Sequence, residues 1–286
     1  MSDYKLSPDF EEKIKKYINS NKLQLIILTP CFGDICHIGY VTSLLNTMFV
    51  FKKLNIPIYV EFCRNDSLVT RARNNLIAKA MSNEDNTHFL FIDNDIQWEV
   101  EDIIKLICHD AQLIGGVYPI KKYNWNKLVK HDSKTNNLDF VEKSINHKNN
   151  SVLHNTNNEN YIRYNLVNYN LNYLNEKLSI NHNTAKVKHV ATGFMLIKRK
   201  TIELMFVKYS STKYTDDVNF LKTEKENKYA YALFDCRIEN NSYHSEDWVF
   251  CDRWRKMGGE VLIDVSINLT HTGIEDYKGS YMSSVV

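Results

Sequence analysis

The chain has 286 residues, with 36 Lys and Arg against 34 Asp and Glu for a formal net charge of +2, and 43% of its residues are hydrophobic. That is enough apolar material to close one large domain or two intimate halves, and the near balance of charge argues against a general nucleic-acid or membrane-surface binder. Met1 to Ile18 alternates charged and apolar residues and no later segment is apolar enough to cross a bilayer, so a soluble, cytoplasmic protein is expected. Six cysteines (Cys31, Cys36, Cys63, Cys108, Cys236 and Cys251) form no Cys-x-x-Cys pair, which favours isolated thiols over disulfides or a zinc cluster.

In chain order, Ser7 and Pro8 before an acidic turn predict a helix start, with Phe10, Ile14 and Tyr17 as its packing stripe. Apolar runs at Leu23 to Thr29, Pro57 to Phe62, His88 to Ile92 and Gln112 to Tyr118 predict strands separated by helical stretches. This β-α-β-α order implies an α/β fold with a mainly parallel sheet flanked by helices, whose ligands sit beyond the carboxyl ends of the strands. From Tyr123 to Lys186 the chain turns rich in Asn, Lys, His and Ser, which reads as a loop-rich insertion. The pattern resumes at Val187 to Lys198 and Tyr229 to Ile238, then gives a helix from Glu246 to Met257, with Ser245 as N-cap and Gly258-Gly259 as stop. A strand, Glu260 to Val265, follows. A single domain, 1–286, is expected, with a nucleotide-handling half at 23–120, the insertion at 123–186 and a second half at 187–286.

Three polar segments follow the first three strands: Thr29 to Asp34, Asp66-Ser67, and Asp93-Asn94-Asp95. Asp93 and Asp95, two apart at the end of an apolar strand, can lean toward one hard divalent cation that bridges a diphosphate. Asp and Asn are also common turn formers in such places. Ser67 is placed to cap a helix bearing Arg71, Arg73, Asn74 and Asn75, on which an arginine near the sheet mouth can bind diphosphate or a base carbonyl. Arg71, Asn74 and Asn75 share one face while Arg73 points elsewhere. Thr192-Gly193 permits close backbone approach, or marks a bulge. Trp98, Trp125, Trp248 and Tyr277 offer faces for stacking on sugar rings, or serve as core.

Ala72-Arg73-Asn74, then a helix, then a strand ending in Asp93-Asn94-Asp95 resembles the "ARN … DxD" core of GT-A glycosyltransferases of the family 2 type. Gly193 to Ile197, Ser245 to Trp248 and His271 are similar to the acceptor-side half in the same order, so the likeness runs from Leu23 to Gly279 outside the insertion. The resemblance implies that Thr29, Pro30 and Asp66 line a nucleoside pocket, that Arg73 and Asn74 hold base or diphosphate, and that Asn94, Thr192 and Gly193 flank the donor. It further implies a Mn2+ or Mg2+ ion held by Asp93, Asp95 and His271. Asp247 would then be the catalytic base, with Glu246 holding an acceptor hydroxyl. Partners would be a UDP- or GDP-type nucleotide sugar and a glycan or protein acceptor, with inversion at the anomeric carbon and retention left open.

Without the resemblance, Glu246 and Asp247 equally complement a helix dipole, and His271 equally serves as a hydrogen-bonded structural residue. A nucleotidyltransferase is the rival enzyme class, but the single glycine and absent Lys or Arg in Thr29 to Asp34 count against its phosphate loop. A non-catalytic carbohydrate-binding protein that retains the fold is the other alternative.

Overall fold

The computed structural model describes residues 4–129, 138–149, 157–176 and 178–274. The elements run α1 (Pro8–Ser20), β1 (Leu25–Cys31), α2 (Ile38–Lys53), β2 (Ile58–Arg64), α3 (Val69–Ser82), β3 (His88–Ile92), β4 (Ile96–Gln97), α4 (Val100–Cys108), β5 (Leu113–Gly116) and β6 (Pro119–Tyr123). Next come α5 (Asn126–Val129), α6 (Leu138–Asn149), α7 (Asn158–Leu166), β7 (Val167–Tyr169), β8 (Leu171–Tyr173), β9 (Ile180–Asn181), β10 (Thr184–Val190) and β11 (Phe194–Lys198). The chain continues through α8 (Arg199–Lys208), α9 (Glu224–Asn227), β12 (Arg237–Glu239), β13 (Ser242–His244), α10 (Glu246–Lys256), β14 (Val261–Asp264) and β15 (Thr270–His271).

Strands β1 and β3 are apolar on both faces because both faces are covered. Their two-residue alternation sorts the core into two layers. Leu25, Ile27, Leu90 and Ile92 point toward a layer built with α1, α2 and α4, whereas Ile26, Leu28, Phe89 and Phe91 point toward one built with α3, α8 and α10. The result is the helix-flanked, Rossmann-like α/β architecture that the GT-A resemblance implies.

The large sheet has the order β2-β1-β3-β11-β5-β14-β10-β8, with β9 added on β10. Strands β2, β1 and β3 are parallel neighbours, as are β5 and β14, while β11 is antiparallel to both β3 and β5. That reversal positions the site. Phe194, the first residue of β11, lies opposite Ile92, the last of β3, so Thr192-Gly193 and Asp93 meet at one sheet edge.

Several boundaries differ from the sequence pattern. The first and second strands start two and one residues later than the apolar runs, where the pairing begins at Leu25–Ile58, and end two residues later, because Pro30-Cys31 and Cys63-Arg64 still pair across β1 and β2. The fourth strand ends at Gly116, before Val117 and Tyr118. Helix α3 takes Leu68 rather than Ser67 as its N-cap residue, and it is the Asp66 carboxylate that accepts from the Leu68 amide at 2.9 Å. The described part of 123–186 carries α5, α6, α7 and β7 to β9 rather than loops, and β10 begins inside it at Thr184. No strand forms over 229–236. Among the described residues no helix is long and apolar enough to cross a membrane. Tyr277 lies outside the described residues.

Candidate active-site cleft

Two cavities, about 340 and 410 Å3, open at the carboxyl edge of the sheet and share Arg73 and Asp93 as a common wall. The smaller is lined by Pro30, Phe32, Asp66, Ser67, Val69, Asn94 and Asp95, and the larger by Tyr118, Asn170, Thr192, Tyr243, Ser245, Glu246, Asp247 and Trp248.

Arg73 is the hinge of the cleft. It is buried, with its guanidinium over the Phe91 ring at 5.5 Å. Nη2 donates to Asp93 Oδ1 at 3.0 Å and Nε to Glu246 Oε1 at 3.3 Å, which joins the end of β3 to the start of α10. Burial alone would lower the pKa of this guanidinium, but the Asp93 and Glu246 carboxylates more than offset it and leave it raised. Its Nη1 is buried without a hydrogen-bond partner, a donor left for something that enters the cleft.

Gly193 is required here by close approach. A Cβ on it would fall 2.5 Å from Tyr118 Oη and 2.8 Å from Asp93 Oδ2. Its amide donates to Tyr118 Oη at 3.2 Å and its carbonyl accepts from the Asp93 amide at 3.1 Å. The neighbouring Thr192 hydroxyl is buried and unpartnered inside the larger cavity.

Asp95 lies against the Lys121 ammonium through Oδ2, which also stands 3.5 Å from His271 Nε2. Burial pushes the Asp95 pKa up, but His271 and Lys121 more than reverse this and bring it down to about 2. His271 is delivered by the β15–β4 pairing, and its Nδ1 lies 2.8 Å from the Pro119 carbonyl. A carbonyl only accepts, so Nδ1 carries a proton there and Nε2 is the ring nitrogen left to face Asp95. Asp95 Oδ1 is buried with no partner. An imidazole nitrogen 3.5 Å from a half-satisfied carboxylate is a donor set that fits a divalent cation, with Asp95 and His271 as the residues that would hold it.

Asp247, at the first turn of α10, is buried, and its Oδ1 accepts from the Ser245 hydroxyl and from the Trp248 amide at 2.9 Å. Burial raises its pKa; the Ser245 hydrogen bond opposes this without cancelling it. Ser245 stands at the N-cap position as expected, but its hydroxyl serves Asp247 rather than a backbone amide.

Of the expected site residues, Thr29 and Asn74 face elsewhere, and Asp93, Glu246, Asp66 and Asn94 line the cavities with partners already in place. Thr29 is buried and hydrogen-bonded to Tyr40 Oη at 2.6 Å, so of this pair near the end of β1 Pro30 alone reaches the cleft. Asn74 lies on the far face of α3, where its amide donates to the Phe234 carbonyl at 2.7 Å and accepts from the Phe234 amide at 2.9 Å. Asp93 is paired with Arg73 instead of joining Asp95 and His271. Glu246 Oε1 is likewise taken by Arg73. Asp66 is held by Arg71 through both oxygens at 2.9 Å, and Asn94 donates to the Ile35 carbonyl at 2.6 Å; both still line the smaller cavity.

Trp98 is core, packed on Tyr40 at 5.3 Å, and Trp125 is exposed beside Tyr123, away from the cavities. Trp248 reaches the cleft and stacks on His189 at 4.8 Å.

Tyr118, Lys121 and Asn170 were not anticipated. Tyr118 and Lys121 follow the carboxyl end of β5, the same position that singled out the segments after β1 to β3. Asn170 comes from the insertion and is tied back by its amide to the Tyr118 carbonyl at 3.2 Å. A separate group, Glu239, His244 and Asp252, brings its ligand atoms within 4.8 Å of one another. There the Arg237 guanidinium already bridges Glu239 at 2.6 Å and Asp252 at 3.3 Å, so the charge is met within the protein.

No protein-family model matches the chain, and no curated protein matches its sequence. Among solved structures it is similar to A197 from STIV, at 12% identity and a TM-score of 0.45, over 88% of this chain and 87% of that one. It is also similar to GalNAc-T7, solved with UDP, GalNAc and Mn2+, at 10% identity and a TM-score of 0.38, over 96% of this chain and 55% of that one. The chain thus spans about half the length of GalNAc-T7. Both likenesses are distant.

Proposed function

We propose that the chain is a glycosyltransferase that moves a sugar from a nucleoside-diphosphate sugar to an acceptor hydroxyl, with inversion and with the help of a divalent cation. The observation that carries this reading is a pair of adjacent cavities that share Arg73 and Asp93 as a wall, with Asp95, whose Oδ1 is unpartnered, on one side and the buried Asp247 on the other.

In this reading the nucleoside enters the smaller cavity, where Phe32, 68% exposed, offers a face for the base beside Pro30, Asp66 and Asn94. Mn2+ or Mg2+ held by Asp95 and His271 would supply neutralisation of the diphosphate as it departs. Arg73 adds a fixed positive charge and its free Nη1 at the junction, and Glu246 and Asp93 keep the guanidinium aimed there. The sugar projects into the larger cavity toward Thr192, whose unpartnered hydroxyl accepts a ring substituent.

Asp247 takes the proton from the acceptor hydroxyl as that oxygen bonds to the anomeric carbon and the carbon–oxygen bond to the diphosphate breaks. Its raised pKa makes it a stronger base than a solvated aspartate. Tyr118, Tyr243, Trp248 and Asn170 shape the acceptor side, so the segment 123–186 contributes to acceptor choice.

Nucleoside-diphosphate release from a nucleotide sugar tests the roles. Asp247→Asn is expected to keep donor binding and lower turnover about 100- to 10,000-fold, whereas Asp95→Ala loses metal-dependent binding. Equal loss of binding in both overturns the assignment.

A further inference from the structure

Two independent observations hold Lys121 against the Asp95–His271 pair. Its ammonium lies on Asp95 Oδ2, the oxygen that also stands 3.5 Å from His271 Nε2. Its aliphatic stem runs under Gly273, where an added Cβ would stand 2.7 Å from Cδ and 3.3 Å from Cγ. Gly273 lies two residues after His271, the last residue of β15, and the Thr272 amide between them is bonded to the Asp95 carbonyl at 2.9 Å. The stem is therefore threaded past the same short segment that carries the histidine, and a side chain on residue 273 would push it out.

We propose that Lys121 is a resident counter-ion of the Asp95–His271 pair, and that a divalent cation binds by displacing it. The ammonium and the cation are alternative occupants of one negative site. Without the ion, Lys121 compensates a carboxylate that is largely shielded from water, and with the ion it must swing out toward solvent, which its 37% side-chain exposure allows. Breaking this pair subtracts from metal affinity, so an empty site is kept folded and neutral while weak adventitious binding is suppressed. This rests on the metal-dependent reading above, and its test uses the metal alone.

Mn2+ binding to the full chain, followed by the loss of the free-ion electron paramagnetic resonance signal, compares wild type with Lys121→Met, Gly273→Ala and Asp95→Asn. Lys121→Met keeps the stem and removes the charge. It is expected to bind Mn2+ about two- to fivefold more tightly than wild type, the worth of a partly exposed ion pair that no longer has to be broken. Gly273→Ala, which displaces the stem, shifts in the same direction, and Asp95→Asn abolishes the binding.

Unchanged or weaker binding in Lys121→Met overturns the proposal. So does an absence of Mn2+ binding in every variant, whereas transfer that persists without metal leaves the glycosyltransferase reading standing. Thermal unfolding of each variant confirms that the comparison is between folded proteins.

Discussion

Gly193 shows how tightly the centre of the cleft is drawn, since Tyr118 Oη and Asp93 Oδ2 occupy the space of its missing side chain. Gly193→Ala is therefore expected to cost about 1–3 kcal/mol in denaturant unfolding and to weaken nucleotide binding, because Asp93 can relax only by releasing Arg73. Unchanged stability would mean that Tyr118 yields freely. At this scale the sequence was legible where order along the chain placed a residue at a strand end, as for Asp95, and opaque where phase decided. Arg73 and Asn74 are adjacent in the motif but about 100° apart on the helix. The prediction that Arg73 leaves the face of Arg71, Asn74 and Asn75 is what the structure has, and it is this departure that brings Arg73 alone into the cleft. Thr29 was misplaced for the same reason, since consecutive strand residues face opposite sides.

Among elements, α3 is the one whose attachment aligns the cleft. Its far face is held by Asn74, whose side chain replaces backbone partners for both polar groups of Phe234, and by Asn75, which donates to Asp216 at 3.1 Å. Asn74→Ala leaves the buried amide and carbonyl of Phe234 unpaired, with an expected loss of about 2 kcal/mol or more in unfolding free energy. The affinity of the folded variant for nucleotide should stay near wild type, and a selective loss of nucleotide binding at unchanged stability would return Asn74 to the donor site. The strands β1 to β3 were readable because continuous apolar runs mark buried parallel strands. The insertion was not, because α6 and α7 pack on each other, and their polar, Asn-rich composition hides that local pairing.

Over the whole molecule, the brace α1 meets the sheet at His88, whose Nε2 lies 3.2 Å from Tyr17 Oη and whose Nδ1 lies 2.7 Å from Thr87 Oγ1. Burial, with Lys198 nearby, brings the His88 pKa down from 6.5 to about 4. The unfolded chain then binds a proton below pH 6.5 that the folded chain refuses until about pH 4, so stability is intact above that window and falls as pH is lowered through it. The His88 contribution is about 3 kcal/mol across the window, and a His88→Gln variant should show a correspondingly flatter pH dependence of its unfolding free energy. An identical slope in both proteins would assign the acid sensitivity elsewhere.

The central claim, a metal-linked nucleotide cleft, is tested most directly by thermal unfolding with UDP, GDP and CMP, each with and without Mn2+, because a ligand that binds only the folded state raises its melting temperature. The account predicts a rise with a nucleoside diphosphate only when Mn2+ is present, and its disappearance in Asp95→Ala. No rise with any nucleotide, or a rise of equal size without Mn2+ and in Asp95→Ala, would contradict it.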